Sequence, residues 1–354
     1  VFRSRQLADV SAFAVEYHQG GVHLPKLGLW LDPHRAKPGH VFVSHAHSDH
    51  IAAHPEAILT EPTAWLMRHR LGGKRSERIL RFREPCGFSG EGKKFQLTLL
   101  PAGHILGSAM AFVEAEGGSL LYTGDFKLRP NLCAEPCQPR HADVLIMETT
   151  FGRPQYKLPP EVEVWNEIKQ FCRSALVDGA TPVLFAYSLG KSQELLAGLR
   201  DLNTAIVLHK DAAKLTRIYE HFGQTFPPYA IFDGANAQNA VLIAPPQSSR
   251  SILFQQLERT RTAIVTGWAL DSSCRFRSGT DAAFPLSDHA DFPSLIEFVK
   301  RVAPKKVYTL HGFAADFARS LRELGFDAQA LSEQEQLDLP LGVASRHLAE
   351  FRKE

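Results

Sequence analysis

His45-Ala46-His47-Ser48-Asp49-His50 decides how this chain is read, and it follows directly on the apolar, β-branched run 41–44. Three imidazoles and a carboxylate within six residues are costly to remove from water unless a cation sits among them. At an extended strand tip, alternate side chains share a side, so His45 and His47 point together. The turn that follows can send Asp49 and His50 elsewhere, so one loop can feed two metal ions. Isolated histidines carry no such signal: His18, His69, His221 and His347 read as structural or solvated residues.

The set is completed downstream. Gly103-His104 ends one strand-like run and Thr123-Gly124-Asp125 ends another. His104 closes a three-histidine set, and the two oxygens of Asp125 can bridge a pair of ions.

The rest of the composition bounds the class. A chain of 354 residues has room for about two domains, or one domain with a large insertion. With 44% hydrophobic and 22% charged residues, 25 Gly and 22 Pro, it excludes disorder, collagen and coiled coil as the main state. The net charge of +2, from 40 Lys+Arg against 38 Asp+Glu, means that a polyanion must meet a local patch. Apolar runs such as 180–187 and 240–246 fall short of the roughly 20 residues of a membrane span, and VFRSRQLADV lacks an apolar signal core. A soluble, cytoplasmic protein with no membrane partner is expected. Five cysteines, an odd and small number, argue against a disulfide scaffold, and the Cys133, Cys137 pair reads as two ordinary thiols.

Short β-branched runs at 41–44, 95–100, 110–114, 120–123 and 144–147 predict strands with functional residues at their tips, and 63–71 predicts a helix. From about residue 160 the texture alternates. Helical patterns at 161–177, 193–200 and 212–221 are separated by strands at 182–187 and 205–209, which suggests βαβ units over a parallel sheet. A strand, helix, strand, helix series at 282–286, 293–302, 306–310 and 313–324 follows.

The order H-x-H-x-D-H, Gly-His, Gly-Asp resembles the metallo-β-lactamase superfamily. That resemblance implies an α/β fold, an αββα sandwich with metals on one edge, and gives Asp32 of Trp30-Leu31-Asp32-Pro33 the part of a loop-supporting aspartate. Three further motifs are similar to those of the β-CASP branch, whose members cut nucleic acids. Glu148 in Ile146-Met147-Glu148-Thr149-Thr150 matches its motif A, His289 in Ser287-Asp288-His289-Ala290-Asp291 its motif B, and His311 in Leu310-His311-Gly312 its motif C. Tyr187-Ser188-Leu189-Gly190-Lys191-Ser192 is similar to the Gly-Lys helix start of the β-CASP insert, where free N–H groups and an ammonium suit a phosphate. Stretches such as Pro101-Ala102-Gly103-His104-Ile105 and Gly124-Asp125-Phe126-Lys127 resemble the bacterial ligase-associated DNA exonucleases.

The resemblance implies a sandwich formed by 1–152 and 282–354 with a β-CASP insert at 153–281. It implies two divalent ions, Zn or Mn, with His45, His47 and His104 on one, Asp49, His50 and His311 on the other, and Asp125 bridging. His289, oriented by Glu148, is the expected general acid, and Lys191, Ser188 and Tyr187 the expected substrate contacts. A DNA exonuclease of repair follows, acting on single strands or 5′-phosphate ends and associated with DNA ligase and helicase proteins. RNA processing is the alternative that His311 favours. A thioester or lactam hydrolase is a second alternative, but it has no need of the long insert or of the Glu148, His289 pair. The stretch 67–85, with seven Lys/Arg against two Glu, is a candidate backbone track, and Phe151, Tyr187 and Trp268 are candidate stacking residues that core packing would explain as well.

Overall fold

The computed structural model describes residues 13–18 and 20–331, so His347 lies outside the described residues. Seven α-helices serve as landmarks: α1 (Glu61–Leu71), α2 (Glu161–Val177), α3 (Lys191–Gly198), α4 (Lys210–His221), α5 (Cys274–Ser278), α6 (Phe292–Val302) and α7 (Ala314–Glu323).

A six-stranded sheet runs in chain order through Glu16–His18, Gly21–Leu24, Leu29–Leu31, His40–Phe42, Glu56–Leu59 and Ser76–Ile79. A seven-stranded sheet runs Ala328–Ala330, Lys306–Leu310, Val144–Glu148, Gly118–Tyr122, Ala109–Ala115, Lys93–Pro101 and Cys86–Gly90. Alternation along the strands builds the layers. Leu120, Tyr122 and Ile146 face Leu29, Leu31 and Phe42 of the other sheet in one core. Leu121, Leu145 and Met147 point the other way, onto Phe298 of α6 and Phe317 of α7. On the far side of the first sheet, Val41, Val43 and Leu59 pack with Leu66 and Met67 of α1 and Tyr219 of α4. The result is the αββα sandwich expected from the sequence.

The third sheet is parallel throughout, in the order Tyr229–Ile231, Ala205–Leu208, Ala240–Ala244, Thr181–Phe185, Thr260–Val265, Ala282–Phe284. Its central strands are buried end to end, as strands covered on both faces must be. Ala282–Phe284 corrects the expected boundary: it pairs with Thr260–Val265 in this sheet, so the chain returns to the sandwich only after Phe284. Helix α3 also starts two residues before the expected 193, because Gln193 Oε1 accepts the Gly190 N–H at 2.7 Å and caps the first turn. No described helix is long and apolar enough to cross a membrane.

Candidate active site

The strands His40–Phe42, Lys93–Pro101, Gly118–Tyr122 and Val144–Glu148 end at one edge of the sandwich, whereas Ala109–Ala115 runs antiparallel and only begins there. The loop after His40–Phe42 is held by Asp32, which acts as a hub. One Asp32 carboxylate oxygen accepts the Ser44 N–H at 2.7 Å, and the other accepts the Ser44 hydroxyl at 2.5 Å, the Tyr122 hydroxyl at 2.9 Å and His50 Nδ1–H at 3.0 Å. Gly124 lets the opposite strand tip approach: its φ is +53°, and a Cβ there would meet the Ser44 side chain at 2.5 Å.

His45, His47, His104 and Asp125 converge. His47 Nδ1 lies 3.1 Å from His45 Nε2 and 3.0 Å from His104 Nε2, and Asp125 Oδ2 lies 3.5 Å from His45 Nε2 and 3.3 Å from His50 Nε2. The outward nitrogens fix the tautomers. His47 Nε2–H donates to the Leu189 carbonyl at 3.2 Å and His104 Nδ1–H to the Asp288 carbonyl at 2.8 Å. The Ser44 hydroxyl hydrogen is spent on Asp32, so His45 Nδ1–H donates to Ser44 Oγ at 2.9 Å. Three inward lone pairs therefore meet at one point with a carboxylate beside them, an arrangement suited to holding a cation. Burial, and the neighbouring imidazoles, hold His45 well below the usual histidine range. Burial, His104 and Arg70 push His47 down to about 3. Both are the neutral forms that ligation requires.

The second group is looser. Asp49 Oδ2 is 3.8 Å from His50 Nε2, and the His311 ring is 5.8 Å from that of His50. His50, although buried, is raised well above its usual pKa by Asp125, Asp49 and Asp32, so this spot also attracts positive charge. His311 sits at φ +58°, and the Thr149 hydroxyl, near its carbonyl at 2.7 Å, secures that turn.

Glu148 ends the strand Val144–Glu148 and is buried. Its Oε1 accepts the Phe126 N–H and His289 Nδ1–H, both at 2.9 Å, and its Oε2 accepts the Thr150 hydroxyl at 2.5 Å. Burial alone would lower the His289 pKa, but Glu148 and then Asp125 outweigh it and push it up to about 10. With Nδ1–H committed to Glu148, the free Nε2 can hold a proton beside the cluster, where the His289 ring is 4.8 Å from His104.

Lys191 is the main correction. Its ammonium is 1% exposed and pairs with Glu194 at 2.6 Å, with Asp288 at 3.8 Å, so it is spent inside the protein rather than offered to a phosphate. The same Glu194 holds Lys127 at 2.8 Å, and Lys127 also reaches Glu161 at 3.0 Å. Tyr187 and Ser188 are half-buried, and their carbonyls accept from Ser192 and Gln193 of α3. The stretch 67–85 likewise spends charge locally: Arg68 and Arg75 pair with Glu77, and Arg78 lies over Phe88. Phe151 is buried, Trp268 half-buried, and Cys133 and Cys137 are free thiols.

Sequence reasoning missed Glu194, Lys127, Asp288 and the Leu189 carbonyl. A main-chain oxygen leaves no mark in the sequence, and the charge network closes over 67 residues between Lys127 and Glu194. Glu194→Ala removes the carboxylate that two buried ammonium groups share, leaving Lys127 with Glu161 and Lys191 with the more distant Asp288. It should lower stability by roughly 3–5 kcal/mol, read as a fall in the urea midpoint, whereas an unchanged midpoint would show the network to be dispensable.

Comparison with known proteins places this geometry. Residues 21–209 match the metallo-beta-lactamase superfamily, and residues 282–331 match the Zn-dependent metallo-hydrolase RNA specificity domain. A protein of Opitutus terrae named a probable DNA ligase is 51% identical over 320 residues, covering 90% of this chain and 31% of that one. The 5′ exonuclease Apollo of Gallus gallus is 29% identical over 297 residues, covering 82% and 62%. The endoribonuclease YSH1 of Candida albicans is 24% identical over 284 residues, covering 63% and 32%. The chain thus spans from about a third to about three fifths of the length of these relatives. A crystal structure of a protein of unknown function from Enterococcus faecalis V583 shares the fold, with a TM-score of 0.56 and 13% identity over 84% of this chain and 81% of that one. With more than half of its length matched and motifs A, B and C at one sandwich edge, the chain belongs to the metallo-beta-lactamase superfamily, in its β-CASP nuclease branch.

Proposed function

We propose that this chain is a metal-dependent phosphodiesterase that removes nucleotides from DNA, with a preference for single strands and 5′-phosphate ends, in DNA repair. The observation that carries the reading is the Glu148, His289 pair, 2.9 Å apart and next to the His/Asp cluster. Hydrolysis of a phosphodiester needs a proton for the departing sugar oxygen, and His289 holds one there.

His45, His47, His104 and Asp125 would hold one divalent ion, and Asp49, His50, His311 and the shared Asp125 a second, either Zn or Mn. Bound cations supply charge neutralisation at the phosphate and a lowered pKa for water. The protein's own part is to fix the ligands through Asp32, Ser44, Leu189 and Asp288, and to keep His289 protonated through Glu148. Residues 153–284 would form the β-CASP unit that walls one side of the cleft.

Two relatives support DNA as substrate: one is named a 5′ exonuclease and another a probable DNA ligase, the latter extending far beyond the matched segment. That second relation supports a partnership with a ligase, and with the helicases that serve the same repair, in the cytoplasm. A reading as an RNA nuclease is favoured by the match of residues 282–331 and by the endoribonuclease relatives. End-labelled single-stranded DNA, duplex and RNA, each with a 5′-phosphate or a 5′-hydroxyl, decide between them in Mn²⁺ or Zn²⁺. Stepwise loss from phosphorylated single-stranded DNA is the expected result. Cleavage confined to RNA would replace this reading with the second.

A further inference from the structure

Beside His289 the wall of the site is aromatic. The buried Phe151 ring lies 6.3 Å from that of His289, nearly edge-on, and underpins two half-buried rings, Trp268 at 4.8 Å and Tyr156 at 5.4 Å. Both are fixed to the segment that carries His289. Gly267 packs so closely that a Cβ would meet the Phe151 ring at 2.5 Å and Ser287 Oγ at 2.8 Å, and the Tyr156 carbonyl accepts the Phe292 N–H at 2.9 Å.

The chain continues from Trp268 through a short turn into α5, where three consecutive residues, Arg275, Phe276 and Arg277, are exposed, Phe276 by 74%. The Arg275 guanidinium lies over the Phe276 ring at 4.7 Å. Asp271 steadies Arg277 at 2.8 Å. A lone exposed phenylalanine would need no explanation. Here the ring is covered by one guanidinium group and followed by a second arginine, on a helix that the chain reaches directly from the turn carrying Trp268.

We propose that Tyr156, Trp268 and the Arg275-Phe276-Arg277 face of α5 form a track for single-stranded nucleic acid on the leaving side of the scissile phosphate. Bases stack on the rings and backbone phosphates meet the guanidinium groups, the combination that single-strand binders use. The leaving side follows from His289: the nucleotide whose oxygen takes its proton departs next to the residues that pack around that imidazole. A duplex keeps its base faces covered by neighbouring bases, so the track selects unpaired strands. The inference rests on the nuclease reading above and adds to it which residues grip the substrate and on which side of the cut.

The test uses the full chain and fluorescein-labelled oligothymidylates of about four and about twelve nucleotides, bracketing the span of one single-strand site. Affinity is measured by anisotropy in the presence of a chelator, and cleavage with Mn²⁺. The parent should bind the longer strand more tightly. Phe276→Ala and Arg275→Glu should each weaken that binding by about ten-fold and raise KM for the long strand with little change in kcat. Since the side chain of Phe276 is exposed, its removal leaves the core intact. Phe276→Trp should retain the parent's affinity and Phe276→Leu should not; recovery by leucine would overturn stacking. A parent that cleaves while Phe276→Ala keeps the parent's affinity and KM overturns the track alone. A parent that cleaves no labelled strand with Mn²⁺ or Zn²⁺ overturns the nuclease reading, and the track with it.

Discussion

Asp125→Asn should abolish cleavage almost completely, by about a thousand-fold or more, and should strip the protein of part of its divalent metal after dialysis. The reason is positional. Asp125 Oδ2 is within 3.8 Å of His45 Nε2, His50 Nε2 and His104 Nε2, so one carboxylate serves the convergent histidines and the looser His50 group together. Asparagine keeps the volume but removes the negative charge, and its amide presents hydrogens where lone pairs are required. His50 and His289 hold the Asp125 carboxyl well below the usual carboxylate range in spite of burial, so the anion is present throughout the working pH range. Metal content by elemental analysis is the primary readout and rate the second. An asparagine protein with the parent's metal content and rate would remove Asp125 from the proposed metal site.

His289→Ala should lower kcat by about 10²–10⁴-fold while leaving the metal content intact, because the imidazole is held by Glu148 rather than by the three convergent histidines. Its partner makes a separate prediction with a sign. The Glu148 anion raises the His289 pKa, and the acid must be protonated to act, so the rate falls as pH rises through that pKa. Glu148→Gln removes the anion, lowers the pKa, and moves this fall to lower pH. Bound cations also influence where the limb lies, but they do not reverse the direction. A basic limb that stays in place, or moves to higher pH, would show that another group supplies the proton.

How much of this was legible beforehand differs from residue to residue. That His45, His47, His104 and Asp125 would meet was legible because each sits at or just beyond a strand tip, and strand tips are visible as β-branched runs that end in small or polar residues. Helix α2 was legible for a similar local reason, its apolar spacing persisting from 161 to 177. Lys191 was misjudged because a Gly-Lys helix start looks the same whether the ammonium faces a phosphate or a buried glutamate. The partner that decides it, Glu194, is shared with Lys127, 67 residues away in the sequence. The short strand Ala282–Phe284 was assigned to the wrong sheet because three residues carry too little pattern to name a neighbour.

Sequence by itself determined the chemistry: which donors are present, their order along the chain, and the αββα layering that brings strand tips to one edge. Tertiary structure decided which nitrogen of each histidine faces inward, since that depends on the Leu189 and Asp288 carbonyls and on the Asp32, Ser44 relay. It also decided which charges are free. Ligand identity is a property of side chains and survives in a string of letters. Tautomer, ion pairing and exposure are properties of neighbours, and the neighbours are chosen only when the sheets and helices pack.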